Sequence, residues 1–467
     1  MKKFLRTAAG LLALASAMSV TFSCNKKGGS SSVPETTAET TEAKKKAVDL
    51  NITWLSYYDI NPSSTKGEKR SPALALYQDN FGGTVKYIKT DRDNLYTKLS
   101  EMIKAGDEVD MCPYEPDCFP AGAADGLFAP LDDYYEELGM NTKKLWDDMK
   151  PVADTLAYGG KHYVIPYALT DPFVLTYSRK LVQDEGLDDP LKLYKENKWD
   201  WDTFMNMMTK FKEKDNPGEV QRYGIAGRFG HALLQSTGTS VVTYDGTGFK
   251  NNINDKSIEK AELLLKEIAD KQLYRINWTD HFPEDKSTLF YAMQDWSLSI
   301  SNTEAEGNDL MVVPFPKAPD ADKCSLWCDM SARMLVKNST RPEAVATFIM
   351  CERYAATDKK FTEAAKQEAL TVKKGVTGQT RSFISEEQYN ALQSYLDPKN
   401  LNFSYDFAYG MGKKMSGMGD YTYETKGVMD KLAEEFLSGS DKYASWEELR
   451  KDMSPIIDKE IEKYNKQ

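Results

Sequence analysis

Aromatic rings standing beside acidic side chains recur along this chain: Tyr57, Tyr58 and Asp59; Tyr114 and Glu115; Trp327 and Asp329; Tyr405, Asp406 and Phe407. A ring can stack on the C–H face of a sugar while a carboxylate accepts its hydroxyl protons, and the same two groups suit a cation. Phe229 and His231 add a ring and an imidazole after another strand-like run. Any single aromatic in such a protein is more often core than ligand platform, so the group carries more weight than its members.

Catalytic constellations are absent by pattern. The sequence contains no HExxH, no GxSxG, no GxxxxGK[ST] and no GxGxxG opening a helix after a strand. The three histidines, His162, His231 and His281, have no partner at metal-ligand spacing. Adjacent acids such as Asp132-Asp133, Glu136-Glu137 and Asp188-Asp189 read as helix-start residues that complement the helix dipole. The expectation is a protein with no enzymatic activity, no metal and no cofactor. A secreted glycoside hydrolase is the main rival, since it too would mix acids with exposed Trp and Tyr, but nothing singles out two acids for it. Cys112 with Cys118, and Cys324 with Cys328, are local pairs that could close disulfides in an exported protein or stay thiols. Cys351 is left over.

The elements that would position these residues alternate. Residues 50–57 form a β-branched and aromatic run, followed by a loop at 59–62. Residues 72–80 read as a helix, Gly82-Gly83 as a break and residues 84–89 as a second strand. Leu95, Leu99, Met102 and Ile103 have helical spacing, Gly106 ends that helix, and residues 108–111 form a third strand. Such alternation predicts a mostly parallel sheet in an α/β protein, with ligands beyond the strand C-termini. Over four hundred residues exceed what one core usually supports, so two lobes are expected.

The N-terminus predicts export. Lys2, Lys3 and Arg6 precede the uncharged apolar stretch 8–20, which is too short to span a bilayer comfortably. Ser23-Cys24 then resembles the lipobox of bacterial lipoproteins, with Thr21 where Leu is preferred. The resemblance implies lipidation of Cys24; ordinary cleavage beside an unmodified cysteine is the alternative. Residues 25–46 are rich in Gly, Ser, Thr, Glu and Lys, the composition of a flexible leash. A formal charge of −11 argues against a nucleic-acid partner.

Ordered motifs then become specific. Val109-Asp110-Met111 followed by Gly126-Leu127-Phe128-Ala129-Pro130-Leu131-Asp132-Asp133-Tyr134, then Gly160-Lys161-His162-Tyr163-Val164-Ile165-Pro166-Tyr167, then Val174-Leu175-Thr176-Tyr177-Ser178 resemble family-1 extracellular solute-binding proteins, the maltose-binding-protein-like group. Residues 199–211, Tyr223-Gly224-Ile225, Asp245-Gly246-Thr247-Gly248, Asn254-Asp255, 310–316 and 331–350 continue the likeness. It covers most of residues 50–351, and Ser178 stands where Asn is usual.

That resemblance implies a periplasmic-binding-protein-like type II fold, with two discontinuous α/β lobes joined by a hinge around a ligand cleft. The expected division is a signal at 1–23, an anchor and linker at 24–47, lobe 1 at 48–166 with 310–351, and lobe 2 at 167–309 with 352–467. The chain would cross between lobes near Pro166-Tyr167 and near Val313-Pro314. It also implies a monomer that captures a solute, preferably a sugar or oligosaccharide, and delivers it to the membrane permease of an ABC importer. Peptides, polyamines and glycerol phosphates are open as ligands, and a surface sensor on the same fold is a further alternative. Tyr57, Tyr58, Asp59, Tyr114, Glu115, Phe229, His231, Trp296, Trp327, Asp329, Tyr405 and Asp406 are the expected ligand contacts.

Overall fold

The computed structural model describes residues 48–63, 69–141, 144–216, 218–275, 282, 286–304, 309–371, 373–374, 380–381, 384–416 and 426–466. The expected signal, Cys24 and leash lie outside the described residues, as does His281.

Local sequence sets the first elements. Ser71 accepts the N–H of Leu74 at 3.2 Å and Pro72 occupies the first turn, so the helix Pro72–Phe81 starts where its donors have partners. Gly82 ends it at φ 69°, a left-handed conformation in which other side chains are strained. The strand Asn51–Ser56 lies between two parallel neighbours, Thr84–Lys89 and Met111–Pro113, with Arg333–Leu335 antiparallel at the outer edge. Five of its six residues are buried, as expected of a strand covered on both faces. The third strand starts later than the sequence predicts. Asp110 is buried there, and its carboxylate accepts the Thr53 N–H at 2.8 Å and the Ser339 hydroxyl at 2.7 Å. The helix Pro342–Thr357 packs on this sheet's first helix, with the Phe348 ring 5.2 Å from Tyr77.

A second sheet has the order Leu310–Pro314, Phe173–Ser178, Thr288–Gln294, Tyr223–Gly227, Tyr274–Arg275. Phe173–Ser178 is buried throughout and antiparallel to both neighbours, whereas the rest is parallel. The sheet is thus mixed. A strand arriving from the other sheet is not joined to its neighbours by the long crossover that parallel pairs require. The helices Trp201–Lys212 and Lys256–Asp270 begin at Asp200 and Asp255, whose carboxylates cap them. The C-terminal helices Val428–Glu434 and Trp446–Asn465 pack against Phe229–Ser236 and Phe249–Asn251 on this side.

Between the sheets runs a two-stranded ribbon, Ala168–Thr170 antiparallel to Asp329–Ser331. The first crossing therefore follows Pro166-Tyr167 directly. The second does not lie at Val313-Pro314. Those residues pair with Leu175 and Val174 inside the second sheet, and the chain returns only through Asp329–Ser331 into Arg333–Leu335. Residues 310–328 thus stay with the second sheet, and the helix Pro342–Thr357 runs unbroken across the expected boundary at 351. All five described cysteines are free, so neither local pair is a disulfide. Among the described residues no helix is long and apolar enough to cross a membrane.

Candidate ligand-binding site

Where the ribbon meets the second sheet, three acids converge. Asp171 turns the chain out of Ala168–Thr170 with φ 48°, Asp295 follows the last residue of Thr288–Gln294, and Asp329 opens the returning strand. Gln294 donates its amide to Asp329 Oδ2 at 2.9 Å, and the Trp296 indole N–H donates to Gln294 Oε1 at 3.2 Å. Burial, and then the charge of Asp171 and a hydrogen bond with it, push Asp295 up to about 7. Burial and the same Asp171 charge push Asp329 up to about 6. Carboxylates this close cannot all ionise freely, so the group retains a proton near neutrality. Asp329 is open to solvent, yet burial is the largest cause of its shift.

The first sheet supplies a facing group. Tyr57 follows Asn51–Ser56 and Glu115 follows Met111–Pro113. The Tyr57 hydroxyl donates to Glu115 Oε1 at 2.5 Å, and Arg92 donates twice to Oε2, at 3.1 and 2.5 Å. The Arg92 guanidinium stands 5.8 Å from the Tyr57 ring centroid. Glu115 raises the Asp329 pKa and Arg92 lowers it, so both groups act within one electrostatic neighbourhood. Rings border the acids: Trp327 stacks on Phe173 at 4.2 Å, His231 lies 5.9 Å from Trp327, and Trp296 is 38% exposed, uncommon for so large a ring.

Five expected contacts, Tyr57, Glu115, Trp296, Trp327 and Asp329, thus gather around this group. Tyr114 is buried at its edge, within reach of the Asp329 charge, and its hydroxyl is 3.2 Å from that of Tyr405. His231 bonds Tyr409 at 2.9 Å and faces Asp430 at 3.2 Å. Four others are placed elsewhere. Tyr58 accepts from Arg333 at 2.8 Å, Asp59 accepts from Asn61 in an exposed turn, and Phe229 is buried edge-on to Tyr274. Asp406 is buried and accepts three backbone N–H groups, from Val241 (2.6 Å), Val242 and Ala408 (both 3.0 Å). Its oxygens bolt two segments together. Phe407 is likewise buried, 5.9 Å from Phe119.

Sequence reasoning missed Asp171, Gln294, Asp295 and Arg92 as site members. Asp295 stood beside Trp296, and Asp171-Pro172 is a turn signal; Arg92 carried no signal. Among the described residues no group of three or more His, Cys, Asp or Glu has an arrangement able to hold a metal ion. The site has hydrogen-bonding and stacking groups, which suit an organic solute.

The model of the bacterial extracellular solute-binding protein family matches residues 61–360, well over half of the chain. The chain belongs to that family. The matched span includes Arg92, Glu115, Asp171, Asp295, Trp327 and Asp329 of this solute-binding protein, while Tyr57 precedes it. Among solved structures, the galacto-N-biose/lacto-N-biose I-binding protein of an ABC transporter from Bifidobacterium longum, in complex with lacto-N-biose, is 14% identical. Its TM-score is 0.58, with 90% of this chain and 98% of that one covered. The cyclic alpha-maltosyl-1,6-maltose binding protein from Arthrobacter globiformis is 12% identical (TM-score 0.58; 88% and 98% covered). UgpB from Mycobacterium tuberculosis, in complex with glycerophosphocholine, is 16% identical (TM-score 0.56; 88% and 99% covered). At these identities the likeness is one of fold. No curated protein matches the chain in sequence.

Proposed function

We propose that this solute-binding protein captures a small polar solute, a sugar in first place, between its two sheets and delivers it to the permease of an ABC importer. The observation that carries this reading is the division of one site into two halves. Tyr57, Glu115 and Arg92 sit in the loops that follow strands of one sheet; Asp171, Asp295 and Asp329, with Trp296 and Trp327, sit where the ribbon joins the other. A solute that contacts both halves favours the arrangement in which they are close, and the ribbon Ala168–Thr170/Asp329–Ser331 is the element about which they would move. Ligand capture then becomes a change of shape that a membrane subunit can read.

A sugar fits because rings and hydroxyl acceptors alternate around the acids, and two of the similar folds carry sugar names. A cationic solute is the second reading, favoured by the carboxylates Glu115, Asp171, Asp295 and Asp329 in this neighbourhood, and by the glycerophosphocholine complex of a third. We further propose that the chain is exported, lipid-anchored through Cys24, monomeric and without catalytic activity. Titration calorimetry with disaccharides and with quaternary amines, followed by chromatography of the recovered solute, tests the reading. Binding with the solute unchanged supports it; a hydrolysed product would replace it with a glycoside hydrolase. Mass spectrometry of the exported protein and its Cys24→Ser variant checks the anchor, expected as a lipid mass present only in the former.

A further inference from the structure

The ribbon is not the only place where the two halves meet. Residues 402–411 run between them. On the second half, Asn402–Phe403 pairs with Ser325–Leu326, Asp406 accepts the N–H groups of Val241 and Val242, and Tyr409 bonds His231. On the first half, the Tyr405 hydroxyl donates to the Phe119 carbonyl at 2.9 Å and lies 3.2 Å from the Tyr114 hydroxyl. Gly410 sits so close that an added Cβ would stand 1.6 Å from the Phe119 carbonyl oxygen, against rigid backbone. Phe119 is 0% and Phe407 3% exposed, so no water-sized gap separates these surfaces at their centre. Beside them Tyr158 stacks on Phe249 at 5.5 Å, and the Gly159 N–H donates to the Tyr244 hydroxyl at 3.1 Å.

Both anchors of this segment border the candidate site. Tyr114 feels the Asp329 charge, and the His231 ring lies 5.9 Å from Trp327. We propose that residues 402–411 form a strap that closes the cleft at its Tyr114 end, so that the site accepts a short solute and excludes its chain-extended homologues. The inference rests on the sugar reading for its ligand, and on the packing and hydrogen bonds of residues 402–411 for the strap. A glycan running past Tyr114 would have to break at least the part-buried Tyr405–Phe119 hydrogen bond, a cost of about tenfold in Kd.

The test titrates the full chain with maltose and maltotetraose, and with β-1,6-galactobiose and its tetrasaccharide. For whichever disaccharide binds, the tetrasaccharide should bind at least about tenfold more weakly, and Tyr405→Phe, which keeps the ring and removes the hydroxyl, should narrow that ratio. A tetrasaccharide bound as tightly as its disaccharide overturns the strap while leaving solute capture intact. If no sugar of either series binds, the sugar reading fails and amide hydrogen exchange decides the strap. Slower exchange at Tyr114 and Cys118, the first-half amides beside Phe119, in the ligand-free parent than in Tyr405→Phe supports it, and equal exchange overturns it.

Discussion

Replacing Arg333 with Met should destabilise this protein by about 3–5 kcal/mol, because it strands a buried charge. The Arg333 and Glu352 side chains are 10% and 7% exposed, and the guanidinium donates to both carboxylate oxygens at 2.5 to 3.1 Å. A further donor goes to the Tyr58 hydroxyl at 2.8 Å, and the guanidinium lies over Trp54 at 4.9 Å and Tyr167 at 5.5 Å. Burial already raises the Glu352 pKa, and Arg333, with a smaller contribution from a Tyr167 hydrogen bond, pulls it down. Without Arg333 the folded state would hold Glu352 protonated, while the unfolded chain releases that proton near about pH 4.3. The variant's stability should therefore fall as pH rises above that value, up to the folded pKa, because the folded state binds the extra proton. Replacing both partners, Arg333→Met with Glu352→Leu, removes the stranded charge and should return most of the loss. Urea unfolding followed by tryptophan fluorescence, at about pH 5 and about pH 8, measures all three proteins. A single variant within about 1 kcal/mol of the parent, or a double variant no better than the single, would refute the reasoning.

Three further outcomes are expected. Glu262 is 0% exposed and neither carboxylate oxygen has a partner, so Glu262→Leu should stabilise by about 1–3 kcal/mol; burial raises its folded pKa, so the parent loses stability as pH rises and the melting-temperature gap should widen from about pH 5 to about pH 8. Asp295 and Asp329 titrate at about 7 and about 6, and ionised acceptors bind hydroxyl groups more strongly; calorimetric affinity should rise as pH increases through that range, and the rise should shrink in Asp295→Asn. Trp296→Ala should weaken solute binding roughly 10- to 100-fold, on the scale of a ring in an energetic hot spot, while leaving the melting midpoint within about 0.5 kcal/mol equivalent, because the ring is 38% exposed.

Much of the first sheet was legible because its signals are local. Ser71, Pro72, Gly82 and Gly106 bracket helices whose apolar residues recur at helical spacing, and each bracket acts within one turn. The start of the third strand was misplaced because its pairing, Met111 beside Trp54 and Leu335, is with residues far away in sequence. The second crossing was misplaced for the same kind of reason. Nothing in Leu310–Pro314 declares that it pairs with Phe173–Ser178, since strand pairing is a long-range choice. At the site, Tyr57 and Tyr58 are adjacent and identical in type, yet one bonds Glu115 and the other Arg333. Both lie in the bend after Asn51–Ser56 with their rings 5.0 Å apart, and only partners distant in sequence decide which hydroxyl faces the site. Asp406 shows the same limit, being an acid beside an aromatic whose oxygens are consumed by backbone. Arg92 joins Glu115 through space alone, a contact no motif encodes.

The central claim is that one solute bridges the two halves of the Tyr57–Glu115 and Asp295–Asp329 group. The most direct measurement is calorimetric titration of the parent, Glu115→Gln and Asp329→Asn against the disaccharide and quaternary-amine panel, with the recovered solute analysed for change. One solute class should be bound unchanged by the parent and weakened by both substitutions, although Glu115 follows a strand of the first sheet and Asp329 lies on the ribbon to the second. A solute that is chemically converted, or one whose binding ignores either substitution, would contradict it.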